Sequence, residues 1–188
     1  MPKDTRSELL NSAEYAVRSR GYDGFSYADL AEAVGIRKAS IHYHFPTKAL
    51  LSATLMDRYH KTLAERCDAI SAQNDTAAAR LLALVDLYRG ALDGGKKLCL
   101  CVALTSSRES LSAEVIAKIN RFRAMMIGWI TDVFDLGRQD GSLRPTLEAE
   151  HEARATLALL EGAHLAARAE EDVSIFDGAL AALIQRCG

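Results

Sequence analysis

The chain has 188 residues, 49% hydrophobic, 26% charged and only 6% aromatic, with three prolines and a formal net charge of −2. That composition suits a helix-rich protein with one small and one larger part, and the slight negative charge argues against a generally basic protein that coats nucleic acid. Cys67, Cys99, Cys101 and Cys187 are too few and too irregularly spaced for a secreted disulfide framework. The opening stretch MPKDTRSELLNSAEY is polar, and the longest apolar run, Leu98 to Leu104, is far short of the roughly 20 residues that span a bilayer. The expectation is a cytoplasmic protein without membrane contact.

Leu9, Ala13, Ala16 and Val17 recur at helical spacing and predict a first helix from about Thr5 to Arg20, closed by Gly21. Asp23 and Gly24 form a turn, and Tyr22 and Phe25 pack the first helix onto the two short helices next in the chain. Ser26 stands where an N-cap should, with Asp29 three residues on, so a second helix starts at Tyr27. Leu30, Ala31 and Val34 mark its apolar face. Gly35 then takes a positive φ and turns the chain, with Ile36 as an apolar plug at the corner. Arg37 and Lys38 open a third helix, Ile41 and Phe45 are its buried stripe, and Pro46 cannot continue it.

The outer face of that third helix carries Lys38, Ala39, Ser40, His42, Tyr43 and His44. Small side chains at Ala39 and Ser40 let the backbone approach a groove floor, while imidazoles and a phenol can reach base edges or phosphate oxygens. From Ala33 to Met56 the chain has Arg37, Lys38 and Lys48 and no acidic residue, so a local positive strip results. Residues 1–65 hold four Lys and five Arg against four Asp and four Glu, a net of +1. Attraction to DNA must therefore come from where the charges sit rather than from bulk charge. Thr47 is placed to cap a fourth helix with Lys48 in its first turn, where free N–H groups favour an anion such as a backbone phosphate.

That fourth helix runs through Leu51, Leu55, Tyr59 and Leu63 toward Ala69 and serves as a connector. Ser71 to Thr76 reads as a polar break. Leu81, Leu84, Val85 and Tyr88 mark a fifth helix ending near Gly94 and Gly95. Leu98 to Ser107 is best read as a short buried helix, although its length leaves a strand open. A long helix comes next, from Ser110 to Leu136, then a loop from Gly137 to Pro145, and last two helices over Leu147 to Arg168 and Ser174 to Arg186.

Phe25, Ser26, Leu30, Ala31, Val34, Gly35, Lys38, Ser40, Ile41, Tyr43, His44, Phe45, Lys48 and Leu51, in that order, resemble the N-terminal domain of the TetR/AcrR family of bacterial transcriptional regulators. The resemblance implies an all-α fold: a three-helix DNA-binding domain with a helix-turn-helix over residues 1–46, and a helical effector-binding and dimerisation domain over residues 47–188. It further implies that Ser26, Lys38, Ser40, His42, Tyr43, His44 and Lys48 touch operator DNA; Tyr27, Arg37 and Ala39 join them on the same surface. Many family members carry tyrosine where this chain has His42. The implied partners are a palindromic operator in double-stranded DNA, a small-molecule effector and a second copy of the chain, with no cofactor and no metal. A twofold dimer places two reading helices about 34 to 36 Å apart, one turn of DNA. Ala155, Ala158, Gly162, Ala163 and Ala166, with Ile175, Ala179 and Leu183, are the expected dimer interface, their small side chains letting helices approach closely.

Tyr88, Cys99, Phe122, Met125, Met126, Trp129 and His164 are the candidate effector-binding residues. An aromatic and methionine stripe is more often plain core, and a histidine on an apolar face is by default a satisfied core group. An alternative trigger is a thiol, Cys99 or Cys101, sensing oxidants or electrophiles, with Lys96 and Lys97 as the only evident activators. Enzyme readings fail on residues. His151 and Glu152 begin a zinc-protease motif whose second histidine is Ala155, and no nucleophile elbow, phosphate loop or dinucleotide fingerprint is present.

Overall fold

A computed structural model describes residues 4–144 and 146–187, and among them the fold is all α-helical, with one isolated antiparallel bridge between Leu143 and Cys187. The chain divides into two compact units. One runs to His60 and includes Leu100–Arg121; the other comprises Lys61–Cys99 and the chain from Phe122 onward. No helix among the described residues is long and apolar enough to cross a membrane.

The first unit holds α1 (Thr5–Arg20), α2 (Tyr27–Val34), α3 (Lys38–His44), the first half of α4 (Lys48–Gln73), α6 (Leu100–Thr105) and the start of α7 (Ala113–Asp140). Asp4 caps α1 by accepting from the Ser7 amide at 3.4 Å, and Leu9, Leu10, Ala13, Ala16 and Val17 are buried along it, against α2 and α6. The turn into α2 depends on Gly24, where an added Cβ would lie 2.1 Å from the Arg20 carbonyl oxygen. Arg58 of α4 reaches back to α1, donating to Asn11 at 2.8 Å and to Glu14 at 2.7 Å. Lys118 of α7 grips both oxygens of Asp57 on α4 at 2.8 and 2.7 Å.

The second unit is built from the remainder of α4 and α7 with α5 (Ala77–Ala91), α8 (Ala149–Glu170) and α9 (Val173–Ile184); α9 packs on α8 and α5. Phe122, Phe134, Leu157, Leu160, Phe176 and Leu180 fill its core. The end of α7 caps the start of α5: Asp140 accepts from the Ala77 amide at 2.8 Å and Ser142 from the Ala78 amide at 3.0 Å. Trp129 donates its indole N–H to Ser71 at 3.0 Å.

Several expected boundaries shift, α5 among them, which ends at Ala91 rather than near Gly94 and Gly95. The connector continues to Gln73, through the first residues of the expected break, because Ser71 and Asn74 make bonds that a helix end can use: Arg80 donates to both their carbonyls. Ser110 belongs to a 3₁₀ turn, Arg108–Ser110, and α7 begins at Ala113. At its other end α7 runs past Gly137 to Asp140, so Gly137 is a packing glycine rather than a helix breaker: a Cβ there would sit 2.7 Å from Leu143 Cβ. Pro145, where the loop was expected to end, lies outside the described residues. Of the segment Leu98 to Ser107, Leu100–Thr105 is helix, α6, and no strand forms there.

Candidate nucleic-acid interface

The local physics of α2 and α3 is that of two short helices locked at a fixed corner. Ser26 and Asp29 form a reciprocal capping box, the Ser26 amide donating to Asp29 Oδ2 at 2.6 Å and the Asp29 amide to Ser26 Oγ at 3.4 Å. These bonds to Ser26 hold the Asp29 carboxyl below the usual carboxylate range. Gly35 closes α2 in the left-handed region at φ 73°, with its amide and that of Ile36 returning to Glu32 and Ala31. Ile41 and Phe45, 0% and 1% exposed, pin α3 to the unit's core. The Tyr27 hydroxyl donates to the Phe45 carbonyl at 2.8 Å and so ties the start of α2 to the end of α3.

With Ile41 and Phe45 inward, the opposite face of α3 is open. Arg37, Lys38, Ala39, Ser40, His42 and Tyr43 are exposed, Tyr43 by 84%, and His44 is half-buried with its ring edge-on to Tyr43 at 5.2 Å. His42 is held in one orientation. Its Nδ1 lies 3.3 Å from the Pro46 carbonyl and its ring stands edge-on to Tyr27 at 4.9 Å. A carbonyl oxygen can only accept, so Nδ1 carries the proton. In the neutral ring Nε2, on the far side, is then an acceptor.

Two members of the expected DNA-contacting set are less open than the rest of it. Tyr27 is only 8% exposed, because its ring fills the seam between α2 and α3. Lys48 is half-buried, its ammonium donating to the Phe25 carbonyl at 2.7 Å and lying 4.1 Å over the Phe25 ring and 4.6 Å over the Tyr22 ring. Burial lowers its pKa, partly offset by Asp23 and Asp29. Ser26 stays exposed beside it, and Thr47 caps α4 as its spacing predicts, accepting from the Leu50 amide at 3.1 Å.

The candidate effector residues all lie in the second unit. Tyr88, Cys99, Phe122, Met126 and His164 are buried, while Met125 and Trp129 keep some surface. His164 is fully enclosed: its Nδ1 accepts from the Cys99 amide at 3.1 Å, its Nε2 donates to the Tyr88 carbonyl at 2.9 Å, and its ring packs edge-on to Tyr88 and Phe176. The Cys99 and Cys101 side chains are 1% and 0% exposed. Burial, with Asp68 adding to it, pushes the Cys67 thiol up to about 12, and burial raises that of Cys187. Among the described residues no group of three or more His, Cys, Asp or Glu gathers as a metal ion would need.

On α8 and α9, Ala155, Ala158, Gly162, Ala166 and Ala179 are exposed and Ile175 is half-buried. Ala163 and Leu183, expected beside them, are 2% and 5% exposed and pack into their own unit. A recess of about 190 Å³ opens between the two helices, lined by Ala155, Thr156, Leu159, Ala182 and Leu183 and floored by the Glu152–Arg186 ion pair. Glu152 went unrecognised in the sequence as a structural hub. It accepts from the Thr146 amide at 2.7 Å, the Leu147 amide at 3.0 Å and Arg186 at 2.5 Å, and the signal for it was an acid set among the buried Ala149, Ala153 and Leu157. Arg58 was missed too, although Asn11 and Glu14, three apart on α1, offered it a face.

Comparison with known proteins agrees with this geometry. The family model for bacterial regulatory proteins of the tetR family matches residues 9–53, which span α1, α2, α3 and the start of α4. The transcriptional regulator TtgR of Pseudomonas putida is 37% identical over 60 residues, 32% of this chain but only 29% of the regulator's own length. The nucleoid occlusion factor SlmA of a Marinomonas species is 25% identical over 162 residues, covering 85% of this chain and 80% of that protein. A TetR-family transcriptional regulator from Agrobacterium tumefaciens superposes with a TM-score of 0.93 at 28% identity, over 100% of this chain and 99% of that one.

Proposed function

Because the chain belongs to the TetR family of bacterial regulatory proteins, we propose that it is a homodimeric repressor that occupies a palindromic operator and is released by a small-molecule effector. One observation carries the reading: an exposed, acid-free face on α3, anchored from behind by Ile41 and Phe45 and framed by the capped start of α2. Arg37 and Lys38 supply charge to phosphates, Ala39 and Ser40 allow close approach, and His42, Tyr43 and His44 reach base edges. His42 has a definite chemistry in this scheme. Its neutral Nε2 accepts, and the donors on major-groove edges are the amino groups of adenine N6 and cytosine N4.

The second copy packs against the exposed small residues of α8 and α9, where the recess beside Ala155 can seat a partner side chain. Head (residues 1–46) and body (47–188) then divide the work, the body binding effector among the candidate residues around Met125 and Trp129. Release is a population shift. The effector must favour the head spacing that cannot span one turn of DNA, and moving occupancy from 99:1 to 1:99 requires about 5.5 kcal/mol of differential binding.

Nuclease footprinting on DNA upstream of the chain's own gene tests the proposal. A protected palindrome, lost steeply as salt rises, is the expected result. Protein that gives no salt-sensitive protection there or on duplexes selected from a random pool would overturn it. Gly162→Glu, which places a charge in the expected helix seam, should yield monomers in sedimentation and remove the footprint at concentrations where the parent chain protects.

A further inference from the structure

Tyr27 belongs to the expected DNA-contacting set, yet its side chain is 8% exposed, and what its ring meets is another member of that set. It is the first residue of α2, directly after the Ser26 cap, and the hydroxyl at the far end of the ring donates to the Phe45 carbonyl at 2.8 Å. Burial pushes the phenol up to about 12, so the hydroxyl stays a donor. Held at both ends, the ring is a fixed wedge in the seam between α2 and α3. Against it stands the exposed imidazole of His42, edge-on, with centroids 4.9 Å apart and planes at 61°.

An exposed histidine that is to offer one particular nitrogen needs such a wall. Its χ2 torsion is soft and roughly two-fold, and a half-turn puts ring carbons where the nitrogens stand. The Nδ1 bond to the Pro46 carbonyl is 3.3 Å long, beyond the range of about 2.7 to 3.2 Å of a well-made N–H···O bond. So long a bond holds the ring weakly by itself. A buried aromatic edge adds a second, directional contact to it.

We infer that the Tyr27 ring is a positioning group for specificity: it fixes the His42 imidazole so that Nδ1 faces the Pro46 carbonyl and Nε2 faces outward, and so sets which base edge the chain prefers. Its side chain acts through His42 rather than on DNA. The inference rests on the proposed base-reading role of His42 for its DNA readout, whereas the orientation of the imidazole can be measured without DNA.

The test uses full-length Tyr27→Leu, which removes the ring, and Tyr27→Phe, which keeps the ring and removes only the bond to Phe45. These variants, the parent chain and His42→Ala each select duplexes from a random pool, and base preference is read position by position. Tyr27→Leu is expected to cut the preference about fivefold or more at the one position that His42→Ala flattens, and the double variant to be no flatter there than His42→Ala alone. Tyr27→Phe is expected to keep the preference within about twofold. Uniform weakening of Tyr27→Leu on all duplexes, with the preference intact, would make Tyr27 a plain core residue and overturn the inference. A loss at some other position would overturn it too, by placing the Tyr27 side chain on DNA, as would a flattened preference in Tyr27→Phe.

The second arm is magnetic resonance of the imidazole nitrogens, recorded in alkaline buffer where histidine is neutral. His42 is expected mainly as the Nδ1–H form in the parent and in Tyr27→Phe, and to shift in Tyr27→Leu toward the Nε2–H form that a free histidine side chain favours. A parent His42 already in the Nε2–H form, or a tautomer unmoved in Tyr27→Leu, sinks the inference. Should Tyr27→Leu not fold, the parent spectrum and the Tyr27→Phe selection decide it. If the parent chain selects no duplex at all, the DNA-binding reading fails and the spectra alone decide whether Tyr27 orients His42.

Discussion

Two histidines, one in each compact unit, put the same side chain to opposite uses. His164 is fully buried, and both its nitrogens are engaged, one accepting from the Cys99 amide and the other donating to the Tyr88 carbonyl. His42 is exposed on α3, with one nitrogen tethered to the Pro46 carbonyl. A buried ring with every polar atom matched is a structural staple; an exposed ring oriented by a single bond has an acceptor to offer. The same contrast separates Glu152, buried under four donors, from the polar face of α3.

Replacing each histidine by alanine is the most direct way to break the contrast. His164→Ala strips partners from a buried amide and a buried carbonyl and opens a void, so the unfolding free energy should fall by about 3–5 kcal/mol in denaturant titrations. A loss below about 1 kcal/mol would mean that the ring is no staple. His42→Ala should change stability by no more than about 0.5 kcal/mol. Its effect belongs in recognition, about 1–3 kcal/mol of discrimination at one base pair, visible as a flattened preference at a single position in selected duplexes. Equal weakening at every position would place His42 on a phosphate instead.

Gly35→Ala probes the frame that holds His42. At φ 73° an added Cβ is strained even though nothing stands within 4 Å of it, so the cost should be about 1 kcal/mol of stability, with all DNA sequences bound more weakly alike. The smallest effect expected concerns the acid limb of stability. Burial pushes the Glu152 carboxyl up, but bonds from Arg186 and from the Thr146 and Leu147 amides outweigh it and leave the group below its ordinary 4.5. Its folded pKa is therefore depressed relative to the unfolded chain. The stability it contributes is present above that ordinary value and is lost as pH falls through the folded one. Glu152→Gln should flatten this part of the profile in melts taken from pH 6 downward; an unchanged slope would mean that Glu152 is not among the acid-sensitive groups.

Much of the fold was legible because the signals are local. Ser26 with Asp29, Gly35, Thr47 and Gly21 each work through bonds within a few residues, and each ends or starts a helix where its chemistry predicts. The boundaries misjudged at Ser71 and Gly137 share one cause. Gly137 looks like a breaker in sequence, but Leu143, six residues on, folds against it and makes its missing Cβ an asset. Ser71 looks like the edge of a loop until Trp129 and Arg80 supply its partners.

The candidate DNA surface divides along the same line. Periodicity alone assigned Ile41 and Phe45 inward and Lys38, Ser40, His42 and Tyr43 outward on α3, because one residue's direction on a helix is set by its neighbours'. It had no means of assigning Tyr27 or Lys48, whose flexible or amphipathic side chains can face either way and whose partners, Phe45 and Phe25, lie 18 and 23 residues off. The same holds for Ala163 against Ala166 and for Leu183, where only the packing of α9 on α8 settles which side is covered. Helix positions, caps and the charge pattern of the reading strip were thus written in the order of residues, since they depend on short-range bonds and sterics. Which polar and small side chains are enclosed, and by what, was decided by tertiary packing, since burial is a property of distant surfaces brought together.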